Sequence, residues 1–64
     1  MTEEEIAVKQ LKNDAVIALK SAERLMHKYA AACEVGPERI KAFEVFDNIR
    51  TAVVTSMRIP SEQL

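Results

Sequence analysis

Cys33 and His27 are the residues whose chemistry could support nucleophilic catalysis, since a thiol beside an imidazole base forms an activated nucleophile. They lie six residues apart in a stretch that contains no helix-breaking residue. At 3.6 residues per turn, their side chains point about 120° away from each other. A buried cysteine and a surface histidine are therefore expected. The sequence predicts a protein that is not an enzyme and has no catalytic residues.

Metal and cofactor sites are also not expected. A single cysteine and a single histidine do not form a structural zinc site, and Glu23 with His27 lacks the second Glu/His set of a carboxylate-bridged metal site. The only glycine of the chain cannot build a phosphate-cradling loop or a dinucleotide-binding fingerprint.

Five basic residues share one side of the first predicted helix. This basic row consists of Lys9, Lys12, Lys20, Arg24 and Lys28. Two interpretations are open: a solvated helix face, or a positively charged wall for an anionic ligand. Nine Lys and Arg against ten Asp and Glu give a net charge of -1. A protein that coats long DNA or RNA is normally basic, so no long nucleic acid is expected as a partner.

A polar strip follows the second predicted helix. Thr51 and Arg58 are seven residues apart, hence two turns from each other on one line, with Asp47 and Thr55 on the same side. These side chains could bind a ligand. Alternatively, Arg58 only complements the negative end of the helix dipole while Thr51 faces water.

The Gly36-Pro37 pair separates the two helical stretches that must position these residues. Glycine suits a left-handed helix end, and proline suits the first turn of the next helix. Thr2 and Glu5 form a capping box at the start, and Pro60 stops the second helix. The prediction is one all-α domain over 1–64, an antiparallel hairpin. It has helices at about 3–33 and 37–58, a turn at 34–37 and a tail at 59–64.

Apolar residues of the first helix follow an unbroken 3-4 spacing, which is typical of a packing seam. This seam consists of Val8, Leu11, Ala15, Ala18, Ala22, Leu25, Tyr29 and Ala32. A second apolar row of Leu19, Met26 and Cys33 lies beside it. Two helices enclose almost no core, and one cysteine excludes an internal disulfide, so a chain of 64 residues is expected to self-associate into a homo-oligomeric helical bundle.

Location follows from hydropathy and charge. No apolar run approaches the roughly 20 residues that cross a membrane, and the acidic start Met1-Thr2-Glu3-Glu4-Glu5 is unlike a signal peptide. The sequence predicts a cytoplasmic protein without a membrane partner.

Two stretches of the chain resemble a known family. Thr2-Glu3-Glu4-Glu5-Ile6-Ala7 with Leu11-Lys12, and the later segment at 48–58, are similar to the small phage anti-CBASS cyclic-nucleotide sponges, whose helical hairpin is shared with phage anti-Thoeris sponges. The resemblance implies a hexamer, a trimer of dimers, in the host bacterial cytoplasm. Such proteins sequester cyclic di- or trinucleotide immune signals without cleaving them.

The resemblance also implies ligand contacts. Thr51 and Arg58 match the family's second-helix threonine and arginine, which reach a trinucleotide on the threefold axis, and Arg50 and Thr55 lie within the same similar stretch. Lys12 matches a helix-one lysine of the dinucleotide pocket after a one-residue slip. The aromatic residue that the family places just before the TEEEI-like start has no counterpart here, which favours the axial site.

Two other functions remain open. The chain could form a homodimeric four-helix bundle that acts as a regulator by binding RNA or a protein partner through the basic row. A purely structural role, such as a phage assembly adaptor, would need only the apolar surfaces. Oligomeric state and the salt dependence of binding separate these alternatives.

Overall fold

The protein forms a two-helix hairpin, which a computed structural model describes over residues 2–60. Helix α1 spans Glu3–Ala32 and helix α2 spans Pro37–Met57. The helices run antiparallel. Arg39, at the start of α2, contacts Cys33 at the end of α1, whereas Ile59, just past the end of α2, contacts Lys12 near the start of α1. The predicted all-α hairpin is therefore confirmed. Within the described residues, neither helix combines the length and hydropathy needed to cross a membrane.

Helix α1 begins where the sequence predicts. The Thr2 hydroxyl accepts a hydrogen bond from the Glu5 backbone N–H at 3.2 Å. This bond satisfies one of the amide groups that the first turn leaves without a helical partner. Three glutamates follow in the first turn, where the positive end of the helix dipole favours negative charge.

The turn between the helices differs from the prediction at Gly36. Its φ of 161° and ψ of -170° describe an extended conformation, and no described residue has the left-handed conformation predicted for it. Helix α1 ends at Ala32, and the backbone of its C-cap residue, Cys33, is also extended. Gly36 is the N-cap of α2, directly before Pro37. The chain therefore reverses between Cys33 and Gly36 without a left-handed residue.

The two helices meet along one row of residues from each. All the members of these rows are buried or half-buried. Helix α1 contributes Lys12, Val16, Leu19, Glu23, Met26, Ala30 and Cys33, and helix α2 contributes Arg39, Ala42, Phe46, Ile49, Val53 and Ser56. Both rows keep the 3-4 spacing of a packed helix face.

The seam is not the face of α1 that meets α2. Leu11 is 67% exposed and Leu25 is 64% exposed, whereas Leu19 and Met26 of the neighbouring row are half-buried against α2. The two rows lie about 90° apart around the helix axis. The hairpin therefore uses the row that the sequence marks as secondary, and most of the seam stays exposed within one chain, although Ala22 is half-buried.

The core of the hairpin is thin. Among the described residues, the buried apolar side chains are Ala30, Ala42 and Val53, at 0%, 5% and 7% exposure, and no large side chain is fully buried. The radius of gyration is 15.6 Å, against roughly 11 Å for a compact domain of this length. Two small alanines let the helix backbones approach each other, but little apolar volume is enclosed between them.

Helix α1 extends beyond α2 at one end of the hairpin. With 30 and 21 residues, the helices differ in length by about 13 Å. The side chain of Lys12 reaches the carbonyl of Ile59 past the end of α2, and residues 2–11 are all exposed. The first turns of α1 therefore form an overhang without a neighbouring helix.

Candidate ligand-binding groove

A groove of about 500 Å³ runs along one side of the hairpin. Both helices contribute to it, and α1 supplies most of its lining because residues three and four apart share a face. The lining consists of Lys20, Glu23, Arg24, His27, Lys28, Phe46 and Val53. This volume lies within the roughly 300–1,000 Å³ that is typical of small-molecule sites. The groove is distinct from the seam, which lies on the opposite side of α1.

Three rings form the apolar part of this side. The imidazole of His27 lies 5.2 Å from the Phe46 ring and 6.2 Å from the Phe43 ring, measured between centroids. Phe43 and Phe46 are perpendicular at 6.4 Å, an edge-to-face arrangement that aromatic quadrupoles favour. The guanidinium of Arg39 lies 5.5 Å above the Phe43 ring, within the range of a cation–π contact.

Positive charge borders the rings. Lys20, Arg24 and Lys28 are spaced four residues apart, so they follow one side of α1 over about 12 Å. Within residues 2–60, none of the three forms an ion pair, while Glu23 adds one carboxylate to the lining. The balance of the groove is therefore positive, and its cations are available to an anionic ligand.

This combination suits a ligand with both phosphates and flat rings. Arginine binds phosphate through two parallel charge-assisted hydrogen bonds, and lysine adds a mobile point charge. Aromatic side chains and arginine stack on nucleobases whatever their sequence, because every base has a π-face. Phe46 and His27 supply ring surfaces next to Arg24, so phosphate and base contacts can be made within one groove.

Three of the sequence-predicted site residues lie together, but outside the groove. Thr51, Thr55 and Arg58 are exposed, and each is two or five residues from the buried Val53, which places them on the outer side of α2. Arg58 is also the C-cap residue, and its backbone N–H donates to Thr55 at 3.0 Å. The strip can meet a ligand only where a second chain approaches α2 from outside.

The other two predicted residues are separate from that strip. The Lys12 ammonium donates to the backbone carbonyl of Ile59 at 3.2 Å, so it complements the negative end of α2 from the neighbouring helix. Arg50 is exposed and lies one turn after Phe46, which places it on the groove side of α2. Lys12, Arg50 and the outer strip therefore do not form one site in a single chain.

His27 and Phe46 were missed by sequence reasoning as groove residues. The sequence predicts His27 as a surface side chain. It predicts Phe46 as core, because Phe46 lies on the apolar face of the second helix. The sequence does contain one signal that could have placed His27 beside the cations, since it lies between Arg24 and Lys28 of the basic row. Its proximity to Phe46, however, depends on how the two helices align, which helical periodicity alone does not define.

Tyr29 lies on the seam and contacts the start of α2. Its hydroxyl donates to the carboxylate of Glu38. This hydrogen bond raises the pKa of Tyr29 from 10.0 to about 12, with smaller contributions from desolvation and from the Cys33 thiol. The cause is physical: the carboxylate accepts from the neutral phenol and repels a phenolate.

The Tyr29–Glu38 pair leads to a pH prediction. Because the folded-state pKa is raised, the stability that this pair contributes is complete below pH 10 and is lost as the pH rises from 10 to about 12. In the Glu38→Gln variant, phenolate should form closer to pH 10. Ultraviolet absorbance measures this directly, since Tyr29 is the only tyrosine and there is no tryptophan. An unchanged titration curve would show that Glu38 is not the partner.

No protein-family model, curated protein or solved structure matches this chain.

Proposed function

We propose that this protein is a non-enzymatic sponge, which binds a cyclic oligonucleotide signal and holds it intact. Sequestration would keep such a signal from activating the effector of a bacterial anti-phage response. The ligand's phosphates would contact Lys20, Arg24 and Lys28, and a base would stack against the ring surfaces of Phe46 and His27.

The observation that carries this proposal is the pairing of cations with rings in one groove. Arg24 and His27 both line it, and the His27 ring lies 5.2 Å from Phe46. A solvated basic face would need no aromatic partner. A purely apolar pocket would not place three cations along one edge.

Size and charge favour a small cyclic ligand over a long nucleic acid. The three cations extend over about 12 Å, and the whole chain carries a net charge of -1. A cyclic di- or trinucleotide has two or three phosphates, which is a number that three cations can match. Extended RNA depends on a longer basic surface. The resemblance of the chain to phage sponges points to the same ligand class.

The outer strip of Thr51, Thr55 and Arg58 remains a predicted contact. In a threefold assembly, three copies of Arg58 would surround one cyclic trinucleotide, and each charge-assisted hydrogen bond would contribute about 1.5–3 kcal/mol. Lys12 would join a dinucleotide pocket only after giving up its bond to Ile59. Arg50 would extend the groove from the α2 side.

Calorimetric titration with a panel of cyclic di- and trinucleotides tests the function. At least one cyclic compound should bind, whereas its linear counterpart should bind more weakly. Heat denaturation and chromatography should then recover the ligand intact, as expected for sequestration. Cleavage products would contradict a sponge, and no binding across the panel would contradict the proposed ligand class.

The RNA-binding alternative is tested by repeating the titrations at several salt concentrations. A single-stranded RNA should bind only weakly. The affinity for a cyclic ligand should decrease only gradually as the salt concentration rises, because few phosphates are contacted. Tight RNA binding with a steep salt dependence would instead favour a nucleic-acid regulator that uses the basic row.

A further inference from the structure

We propose that the seam is a self-association surface, on which a second copy of this chain packs with its α1 antiparallel to the first. The pairing would form a four-helix bundle with one hairpin from each copy. It is independent of the groove, because the groove lies on the opposite side of α1.

The seam is an exposed apolar surface. Val8, Leu11, Leu25 and Tyr29 are 59%, 67%, 64% and 47% exposed. Val45 of α2 is 43% exposed and lies on the side of α2 next to the seam, since it is four residues before the half-buried Ile49. Large side chains at both ends of the seam, with alanines between them, leave an apolar face that helix α2 does not cover.

The exposed area exceeds what a stable dimer needs. The accessible surface is 5389 Å², whereas a compact monomer of 7.2 kDa exposes roughly 4,100 Å². The excess is roughly 1,300 Å², and a standard interface buries roughly 800 Å² from each partner. A second copy can therefore remove from water the surface that a single hairpin is too thin to bury.

The antiparallel arrangement follows from the distribution of side chains along the seam. The large residues of the seam are arranged almost symmetrically about Ala18, with Val8 and Leu11 on one side and Leu25 and Tyr29 on the other. In an antiparallel pair, Leu11 of one copy would therefore lie beside Leu25 of the other, and Ala15 would lie close to Ala22. The alanines meet where the two axes are closest. The overhang of each α1 would then lie beside the turn end of its partner, where two helices are available to cover Val8. A parallel pairing would leave both overhangs together without that cover.

A matched pair of variants tests the interface. Leu25 and Ile17 are 64% and 62% exposed in a single chain, but Ile17 lies on another side of α1. Sedimentation of the unmodified chain at micromolar concentration should give two or more chains per particle. Leu25→Glu should shift the mass to that of a monomer. It should also lower the helicity measured by circular dichroism, because a single hairpin has little buried core. Ile17→Glu should retain the mass of the unmodified chain.

Two results would overturn this inference. One is a monomeric mass for the unmodified chain, and the other is an equal response to Leu25→Glu and Ile17→Glu. If Leu25→Glu simply fails to fold, cross-linking still decides the matter, because Leu11→Cys and Leu25→Cys replace exposed side chains with an uncharged one and Cys33→Ala keeps a small apolar residue at its position.

Cysteine cross-linking tests the orientation. In a Cys33→Ala background, Leu11→Cys and Leu25→Cys chains should form a disulfide with each other when mixed and oxidised. Neither should cross-link efficiently with itself. Self-cross-linking of each single variant would indicate parallel helices, and the absence of any cross-link would place the interface elsewhere. Either outcome contradicts the arrangement proposed above.

Discussion

Replacing Arg24 with glutamate is expected to weaken cyclic-oligonucleotide binding by about 100-fold or more. The change removes a charge-assisted phosphate contact of about 1.5–3 kcal/mol and adds a carboxylate beside Glu23, which already lines the groove. Every 1.4 kcal/mol corresponds to about tenfold in Kd. Calorimetry with the best compound of the panel measures the loss, and circular dichroism verifies that the variant keeps its helices.

Lys41→Glu is the matched control for this experiment. Its charge change is the same, but Lys41 is 78% exposed, pairs with Glu44 and lies outside the groove lining. The affinity of this variant should remain within a few fold of the unmodified chain. If both variants lost affinity equally, the effect would come from net charge alone, and Arg24 would not be a ligand contact.

Arg58→Ala decides between the groove and the outer strip. If the groove alone binds the ligand, this variant should bind as the unmodified chain does. If binding is lost while Arg24→Glu has no effect, the threefold site implied by the family resemblance would be the correct one. Loss in both variants would indicate that the ligand contacts the two surfaces in an assembled particle.

Ala30→Leu is expected to lower the free energy of unfolding by about 1–3 kcal/mol, because extra carbons are forced into a close helix contact. Ala30 has 0% exposure and Ala42, the buried alanine of α2, has 5%, so neither helix has room to accept a larger side chain. For a domain of this size the change corresponds to a drop in Tm of about 5–20 °C. Thermal denaturation followed by circular dichroism measures it.

The adjacent Ala31 provides the control. Ala31 is exposed, and the same change to leucine there should alter the free energy of unfolding by no more than about 0.5 kcal/mol. Equal destabilisation by both variants would show that the hairpin contact does not include Ala30. The assembly state of each variant should be measured alongside, since self-association raises the apparent stability with concentration.

Local sequence signals predicted the helices well. Thr2 caps α1, Pro37 lies in the first turn of α2, and both helices end within one residue of the predicted positions. These features depend on residues close in sequence, namely caps, proline geometry and the absence of breakers. Of the predicted tail at 59–64, residues 61–64 lie outside the described residues.

The packing of the two helices was less predictable. The first helix has two apolar rows about 90° apart, and the more regular one is the seam, with Leu25 64% exposed. Which row α2 covers depends on contacts between residues far apart in sequence, such as those of the His27 ring with Phe43 and Phe46. Periodicity describes each helix separately, so it does not choose between the rows.

By itself, the sequence determined that this protein is a hairpin of two helices with a basic row on the first and a polar strip on the second. Tertiary structure decided that Lys20, Arg24 and Lys28 border a groove with His27 and Phe46, and that the strip of Thr51 and Arg58 faces outward. The reason is physical: helix formation is governed by neighbours three or four residues apart, whereas a groove exists only where side chains from distant parts of the chain are brought into contact.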